Sequence, residues 1–230
     1  METATEQGGV ALLEGESLLA EQIQSEPPPR AASLLPQIDA LLRSCERRLD
    51  EVTGVALSVG PGSFTGLRVG LSTVLGLCFE TARPVAPVAT LAALSLQAGG
   101  APRVAPWLDA RKGQVYAGLY SGGGVALRPD AVTEPLAWLR SLEGRGPLTF
   151  LGPGADLYRN EIESVLGDSA RIVHGPLGGP RAASVGVLGA RLLASGRGVA
   201  ASEVELRYLR PPDAVPASAG RGQRGPKPVA

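Results

Sequence analysis

Histidine, cysteine and aromatic residues are scarce in this chain of 230 residues. It has one histidine, His174, and two cysteines, Cys45 and Cys78, and 4% of its residues are aromatic. Zinc sites and serine–histidine–aspartate triads need several such groups close together, so we expect neither a metal site nor a triad. Both cysteines fall in helical patterns, which indicates free apolar thiols rather than a disulfide scaffold.

Excess charge and long apolar runs are missing as well. The 22 basic residues balance 22 acidic ones, so no overall field would draw the chain to nucleic acid or to an anionic membrane. No apolar run reaches the length of a bilayer, and no signal-peptide pattern opens the sequence. We therefore expect a soluble, cytoplasmic protein without a membrane partner.

The chain does contain one restrictive glycine-rich block, Gly60-Pro61-Gly62-Ser63-Phe64-Thr65-Gly66-Leu67-Arg68-Val69-Gly70. An apolar run over 55–59 leads into it and a helical pattern over 67–81 leads out. Such a strand, turn and helix N-terminus can cradle phosphates, because free amides and the helix dipole point at the turn. The lysine of a P-loop is missing, however, and the glycine spacing differs from G-x-G-x-x-G. The block therefore predicts a nucleotide-fold turn without catalytic equipment, in which Ser63 and Thr65 cap the helix.

Two helices are predicted around this block. The first, over 33–48, has one apolar stripe and a charged opposite face, as in an amphipathic helix. The second, over 66–81, is apolar on most of its circumference and must be buried on several sides. It can achieve this by packing on its own sheet or by packing one face against a second protein chain. The sequence leaves both alternatives open.

The two halves of the chain show weak sequence similarity to each other. A hairpin is predicted from 10–13 and 18–20, and a second hairpin follows the turn at Asp109. Helices follow the hairpin in each half, which indicates a duplicated lobe. We expect an N-terminal lobe over 1–100, a C-terminal lobe over 101–210 and a disordered tail over 211–230, where proline, glycine and alanine dominate.

From Glu2 to about Arg210 the chain resembles the TsaB (YeaZ) family. The resemblance is carried by the glycine-rich block, by Asp109-Ala110-Arg111-Lys112-Gly113-Gln114-Val115-Tyr116 and by Leu34-Leu35-Pro36. It implies an α/β fold of the ASKHA (actin/Hsp70-like) class with two related lobes. It also implies a non-catalytic dimerisation subunit of the bacterial machinery that makes threonylcarbamoyladenosine in tRNA.

The resemblance implies a set of partners too. These are a catalytic TsaD-like paralogue, a TsaE-like ATPase, tRNA reached indirectly through the complex, and a second copy of the chain when it is alone. No cofactor of its own is implied, although ATP or ADP would sit at the junction with the partner. The first two helices would form the interface. The side chains expected there are Leu34, Ile38, Leu41, Leu42, Cys45, Leu67, Gly70, Leu71 and Val74.

The start of the chain departs from the family pattern. Family members begin with an apolar strand that leads into an Asp-Thr-Ser/Ala-like turn, whereas this sequence begins at Met1-Glu2-Thr3-Ala4-Thr5, on the turn itself. We therefore expect a truncated first strand in the N-terminal lobe. A shortened central strand would deprive its neighbours of ladder hydrogen bonds, so we also expect low stability.

Two other function classes compete with the scaffold interpretation. A stand-alone ASKHA enzyme, phosphotransferase-like or glycoprotease-like, would use Glu2 or Asp109 as its metal or base carboxylate and Ser63 and Thr65 near a phosphate. Asp109 fits a turn-forming role equally well. A direct RNA-binding module has little support in the sequence, because basic residues are dispersed and no aromatic residues are interleaved with them.

Overall fold

The computed structural model describes residues 1–23, 30–173 and 179–210. His174 and the tail over 211–230 lie outside these residues, so the predictions about them are not tested. The strands are β1 Gly9–Glu14, β2 Ser17–Ile23, β3 Val55–Ser58, β4 Val85–Val88, β5 Val104–Asp109, β6 Val115–Tyr120, β7 Ala126–Thr133, β8 Leu148–Leu151 and β9 Ala170–Val173. The helices are α1 Arg30–Ser44, α2 Phe64–Leu77, α3 Thr90–Ser95, α4 Pro135–Arg140, α5 Pro153–Leu157, α6 Arg159–Leu166 and α7 Ala182–Ala194.

The first lobe contains two strand pairs joined by the first residues of the chain. Strands β1 and β2 form the predicted antiparallel hairpin, and β3 and β4 pair in parallel. Glu2 exchanges two backbone hydrogen bonds with Gly9, of 2.9 and 2.8 Å. On its other side, the Met1 nitrogen donates to the Ala56 carbonyl at 2.8 Å, and Ser58 donates to the Met1 carbonyl at 3.1 Å. Residues 1–3 therefore run antiparallel to β1 and parallel to β3.

The second lobe repeats this order in one five-stranded sheet, β7-β6-β5-β8-β9. Strand β5 is antiparallel to β6 and parallel to β8, as residues 1–3 are to β1 and β3. The shared order of strand directions confirms the prediction of an α/β fold with two related lobes.

A cavity of about 560 Å³ opens in the first lobe in line with Met1. It lies between the facing edges of β1 and β3, with Leu13 and Val55 among its lining residues. In the second lobe, the six residues of β5 run through the corresponding place. In the first lobe, residues 1–3 lie in the corresponding central position, beside this cavity.

Helix α7 follows the strands of the second lobe but packs on the first. It contacts β1, β3 and β4, and glycines on its inner face allow this close approach, with Gly186 against Leu13 and Gly189 against Ala56. Beyond it, Val199 forms a β-bridge with Val85. The division at residue 100 stays a prediction, although these contacts connect the C-terminal stretch to the first lobe.

Each lobe has its own apolar core. In the second lobe, Trp107 and Phe150 are fully buried and meet edge to face, with ring centroids 5.4 Å apart. In the first, Leu57 and Val74 pack with Val204 from the C-terminal stretch. Among the described helices, none is long and apolar enough to cross a membrane.

Candidate functional site

The glycine-rich block forms a tight turn between β3 and α2. Ser63 caps α2, because its Oγ accepts a 3.2 Å hydrogen bond from the Gly66 amide, which confirms the capping prediction for this residue. The Ser63 amide in turn donates to the Ala4 carbonyl at 2.6 Å. The Gly60 amide donates to the hydroxyl of Thr90 at 3.1 Å. These turn amides are already bonded inside the protein, so an incoming phosphate would have to displace internal partners.

The C-terminal stretch Val204–Arg210, which we call the strap, covers this turn. Its Arg207 amide donates to the Val59 carbonyl at 2.7 Å. A side chain added at Gly60 would collide with the Arg207 carbonyl, and the φ of +112° at Gly60 also favours glycine. The strap then crosses to the second lobe, where Arg210 donates to the Ala110 carbonyl and to Gln114. The strap therefore both covers the glycine turn and ties the two lobes together.

Glu2, a candidate catalytic carboxylate, is fully buried behind the turn. Its Oε1 accepts a 3.0 Å hydrogen bond from the Thr5 amide, whereas Oε2 has no protein partner. Burial raises the pKa of Glu2 to about 7, and burial likewise lowers the pKa of the adjacent Met1 ammonium group to about 6. A substrate could reach this carboxylate only after the lobe had opened.

Asp109, the other candidate carboxylate, forms the turn between β5 and β6. Its Oδ1 accepts a 2.7 Å hydrogen bond from the Arg111 amide, which confirms the turn-forming interpretation. The Arg111 guanidinium pairs with Asp109 at 3.3 Å and with Glu6 of the first lobe at 3.1 Å. Within residues 1–23, 30–173 and 179–210, no group of three or more histidine, cysteine or acidic side chains could hold a metal ion.

Most of the predicted interface side chains point into the first lobe. Leu67 and Val74 are completely buried, and Gly70 lies against Thr3 and Leu57. Leu34, Leu41 and Leu42 are buried on the inner side of α1. Ile38, Cys45 and Leu71 are half-buried. The apolar stripes thus hold α1 and α2 on their own sheet, and the interface role of these nine residues stays a prediction.

The outward side of the two helices carries a different set of residues. A groove of about 790 Å³, the α1–α2 groove, is lined by Leu35, Phe64, Thr65, Arg68, Val69, Ser72, Thr73, Gly76 and Leu77. Large apolar side chains are exposed on these helices, with Leu35 54% and Leu75 41% accessible, and Phe79, just after α2, is 73% accessible. The sequence missed this surface because α2 is apolar on most sides, and only its packing shows which side is left uncovered.

Comparison with known proteins identifies the family. The family model described as "TsaD: tRNA N6-adenosine threonylcarbamoyltransferase" matches residues 30–213. A Bacillus subtilis protein, "tRNA threonylcarbamoyladenosine biosynthesis protein TsaB", is 31% identical over 188 residues, which cover 79% of this chain and 81% of that protein. The chain belongs to the TsaB (YeaZ) family. The Escherichia coli TsaB is 28% identical over 226 residues, covering 91% of this chain and 93% of its own.

Solved structures of the family agree with the fold. YeaZ from Pseudomonas aeruginosa superposes with a TM-score of 0.77 at 31% identity, covering 90% of this chain and 97% of that one. A second structure, of a Pseudomonas aeruginosa protein "with similarity to peptidase YEAZ", gives 0.76 at 30% identity, with coverage of 91% and 97%. The predicted family and the ASKHA fold are therefore confirmed.

Proposed function

We propose that this chain is a non-catalytic subunit in the formation of N6-threonylcarbamoyladenosine in tRNA, and that it acts by binding a catalytic TsaD-like paralogue. The names of its TsaB relatives supply the pathway. The observation that carries the binding role is the α1–α2 groove, which the exposed Leu35 lines, together with the exposed Leu75 on α2 and Phe79 just after it. Exposed apolar side chains clustered on one face are typical of protein interaction sites.

The non-catalytic role is supported by the turn amides and the two candidate carboxylates, which a catalyst would need to be free and which are bonded or buried here. Three amides of the turn, those of Ser63, Gly66 and Gly60, are bonded to Ala4, Ser63 and Thr90 rather than free for phosphate. Glu2 is sealed inside the lobe, and Asp109 is engaged by Arg111. Turnover of nucleotide or peptide by the purified chain alone would contradict the proposal.

The remaining partners belong to the same proposal. The catalytic paralogue would occupy the α1–α2 groove, and a second copy of this chain would compete for the same face when the paralogue is absent. A TsaE-like ATPase would join the assembled pair, and ATP or ADP would bind at the junction of the two subunits. All these steps would take place in the cytoplasm.

Gly76→Glu is the substitution that tests the interface most cleanly. A side chain added at Gly76 meets no atom within 4 Å, so the fold should be kept while a charge enters the groove. We expect at least about tenfold weaker binding of the paralogue, since a buried unpaired charge costs several kcal/mol. The measurement is co-purification, followed by titration calorimetry of the two purified subunits.

The matched control is Ala194→Glu, which places the same charge on an exposed helical position of α7. It should bind the paralogue as the unmodified chain does. Undiminished binding by Gly76→Glu would refute this interface. Gly70→Leu is unsuitable as a test, because Gly70 lies against Thr3 and Leu57 and the larger side chain would disturb the lobe itself.

A further inference from the structure

Residues from two distant parts of the sequence form a stacked surface where the first turn of α2 meets the strap. This arginine–aromatic patch consists of Phe64, Arg68 and Tyr208, and Arg210 follows Tyr208 by two residues along the strap. The rings of Phe64 and Tyr208 have centroids 5.0 Å apart and planes tilted by 42°. The Arg68 guanidinium lies 3.9 Å from the centroid of the Phe64 ring. Arg68 is exposed and Tyr208 is 40% accessible, so a ligand can approach.

The patch is held in place from both sides. The Ser63 cap fixes the first turn of α2, from which Phe64 projects. The bond from Arg207 to the Val59 carbonyl fixes the strap one residue before Tyr208. Because both aromatic rings stand on anchored backbone, a ligand that stacks on them would lose little affinity to ordering the protein.

The positive charge of the patch has no carboxylate to neutralise it. In the described part of the chain, neither Arg68 nor Arg210 forms an ion pair, and Arg210 donates to two neutral oxygens, on Ala110 and Gln114. The strap carries one acidic residue, Glu205, against Arg207 and Arg210. The chain is neutral as a whole and Arg207 lies near Asp130, so the local positive charge comes from Arg68 and Arg210.

We propose that the arginine–aromatic patch binds an unpaired nucleotide in a loop of the tRNA directly, with the base stacked on Tyr208 and phosphates paired by Arg68 and Arg210. Aromatic faces next to guanidinium groups are the usual means of holding splayed-out RNA bases. Phe64 and Arg68 also line the end of the α1–α2 groove, so the RNA would lie beside the catalytic partner. This inference rests on the proposed function, and it changes the indirect tRNA contact predicted from the sequence into a direct one.

The test is binding of a fluorescently labelled anticodon stem-loop RNA to the full-length chain, alone and in complex with the paralogue. Tyr208→Ala should weaken binding by about fivefold or more, the loss expected for one stacked base. Tyr208→Phe keeps the ring and should bind as the unmodified chain does. Arg68→Ala should weaken binding and reduce the salt dependence by about one phosphate contact.

Arg197→Ala is the matched control, because Arg197 is exposed just after α7 and its guanidinium donates to the Ser195 hydroxyl. An equal loss with Arg197→Ala, or none with Tyr208→Ala, would overturn the proposal, as would a patch that takes up ATP but no RNA. Ultraviolet crosslinking of the unmodified chain should place the RNA on Tyr208. Co-purification of the paralogue in the same experiments distinguishes failure of the proposed subunit interface from failure of the proposed RNA contact. Tyr208→Ala should keep the complex with the paralogue while losing RNA binding.

Discussion

The protonation of Glu2 is set by its buried surroundings. Its carboxyl group is enclosed by the first lobe, and one of its oxygens has no protein partner. The next residue, Thr3, lies against Gly70 of α2, where only a missing side chain allows the contact. Burial of an acid without a full set of hydrogen bonds favours its neutral form, which is why its pKa rises.

We expect the stability of the protein to fall as the pH rises from about 4.5 to about 6 because of Glu2. Above about pH 6 the lowered pKa of the Met1 ammonium group acts in the opposite direction and offsets part of the Glu2 effect. The pKa of Glu2 is raised from 4.5 to about 7, so between these two values the folded state binds a proton that the unfolded state has released. The stabilisation from Glu2 is complete below its pKa of 4.5 in the unfolded state. It is lost as the pH rises through its pKa of about 7 in the folded state. The difference corresponds to up to about 3 kcal/mol of unfolding free energy.

Urea unfolding at a series of pH values measures this effect. Glu2→Gln should flatten the decline, whereas Glu6→Gln, at an exposed position, should leave it unchanged. If Glu2→Gln loses stability between about pH 4.5 and 6 as steeply as the unmodified chain does, a different group is responsible.

At the scale of elements, local periodicity was enough to predict the helices and strands of the first lobe. It did not predict which side of each helix stays exposed to solvent. The hairpin over 10–13 and 18–20, the strand entering the glycine block and the two flanking helices were predicted, because apolar spacing and turn residues are local signals. The strap was not predicted. It is an extended stretch without periodicity, and its partners, Val59, Phe64 and Ala110, lie far away in the sequence.

The cavity between β1 and β3 leads to a second prediction. We expect an apolar extension of about three to five residues, added before Met1, to run parallel to β3 and antiparallel to β1 and to fill the cavity. It would replace the buried ammonium group by an amide and pair two strand edges. The melting temperature should rise by about 4 °C or more.

Thermal unfolding of the extended chain provides the measurement, and an extension of the same length made of proline and glycine is its control. Proline cannot complete the ladder, and glycine fills little volume, so the control should not be stabilised. An apolar extension that raises the melting temperature no more than the control does would show that the cavity does not accept a strand.

On the scale of the whole molecule, the segment that follows the strands of the second lobe packs against the first lobe. Helix α7 covers β1, β3 and β4, and Val204 fills a place in the first core. Glu21 of β2, almost wholly buried, accepts hydrogen bonds from Arg181 and from the Ala183 amide at the start of α7. Such contacts between distant segments could not be inferred from composition or spacing.

We therefore expect the fragment 1–100 to be unable to fold alone. It lacks α7 and Val204, so its sheet would have one face uncovered, and isolated elements of this size are marginal in water. Circular dichroism should show no cooperative melt. Joining 181–210 to the fragment through a flexible linker should restore one, and a cooperative transition in 1–100 by itself would contradict this view.

The late return of the chain also matters during translation. The ribosome releases the strands of the first lobe long before α7 and the strap emerge, so this lobe stays incomplete until residues 182–210 have been made. Its apolar strand edges are exposed in the meantime, a period in which nascent chains aggregate or recruit chaperones. A ribosome stalled even a short distance before Val204 would therefore carry a protein whose first-made half is still unfolded.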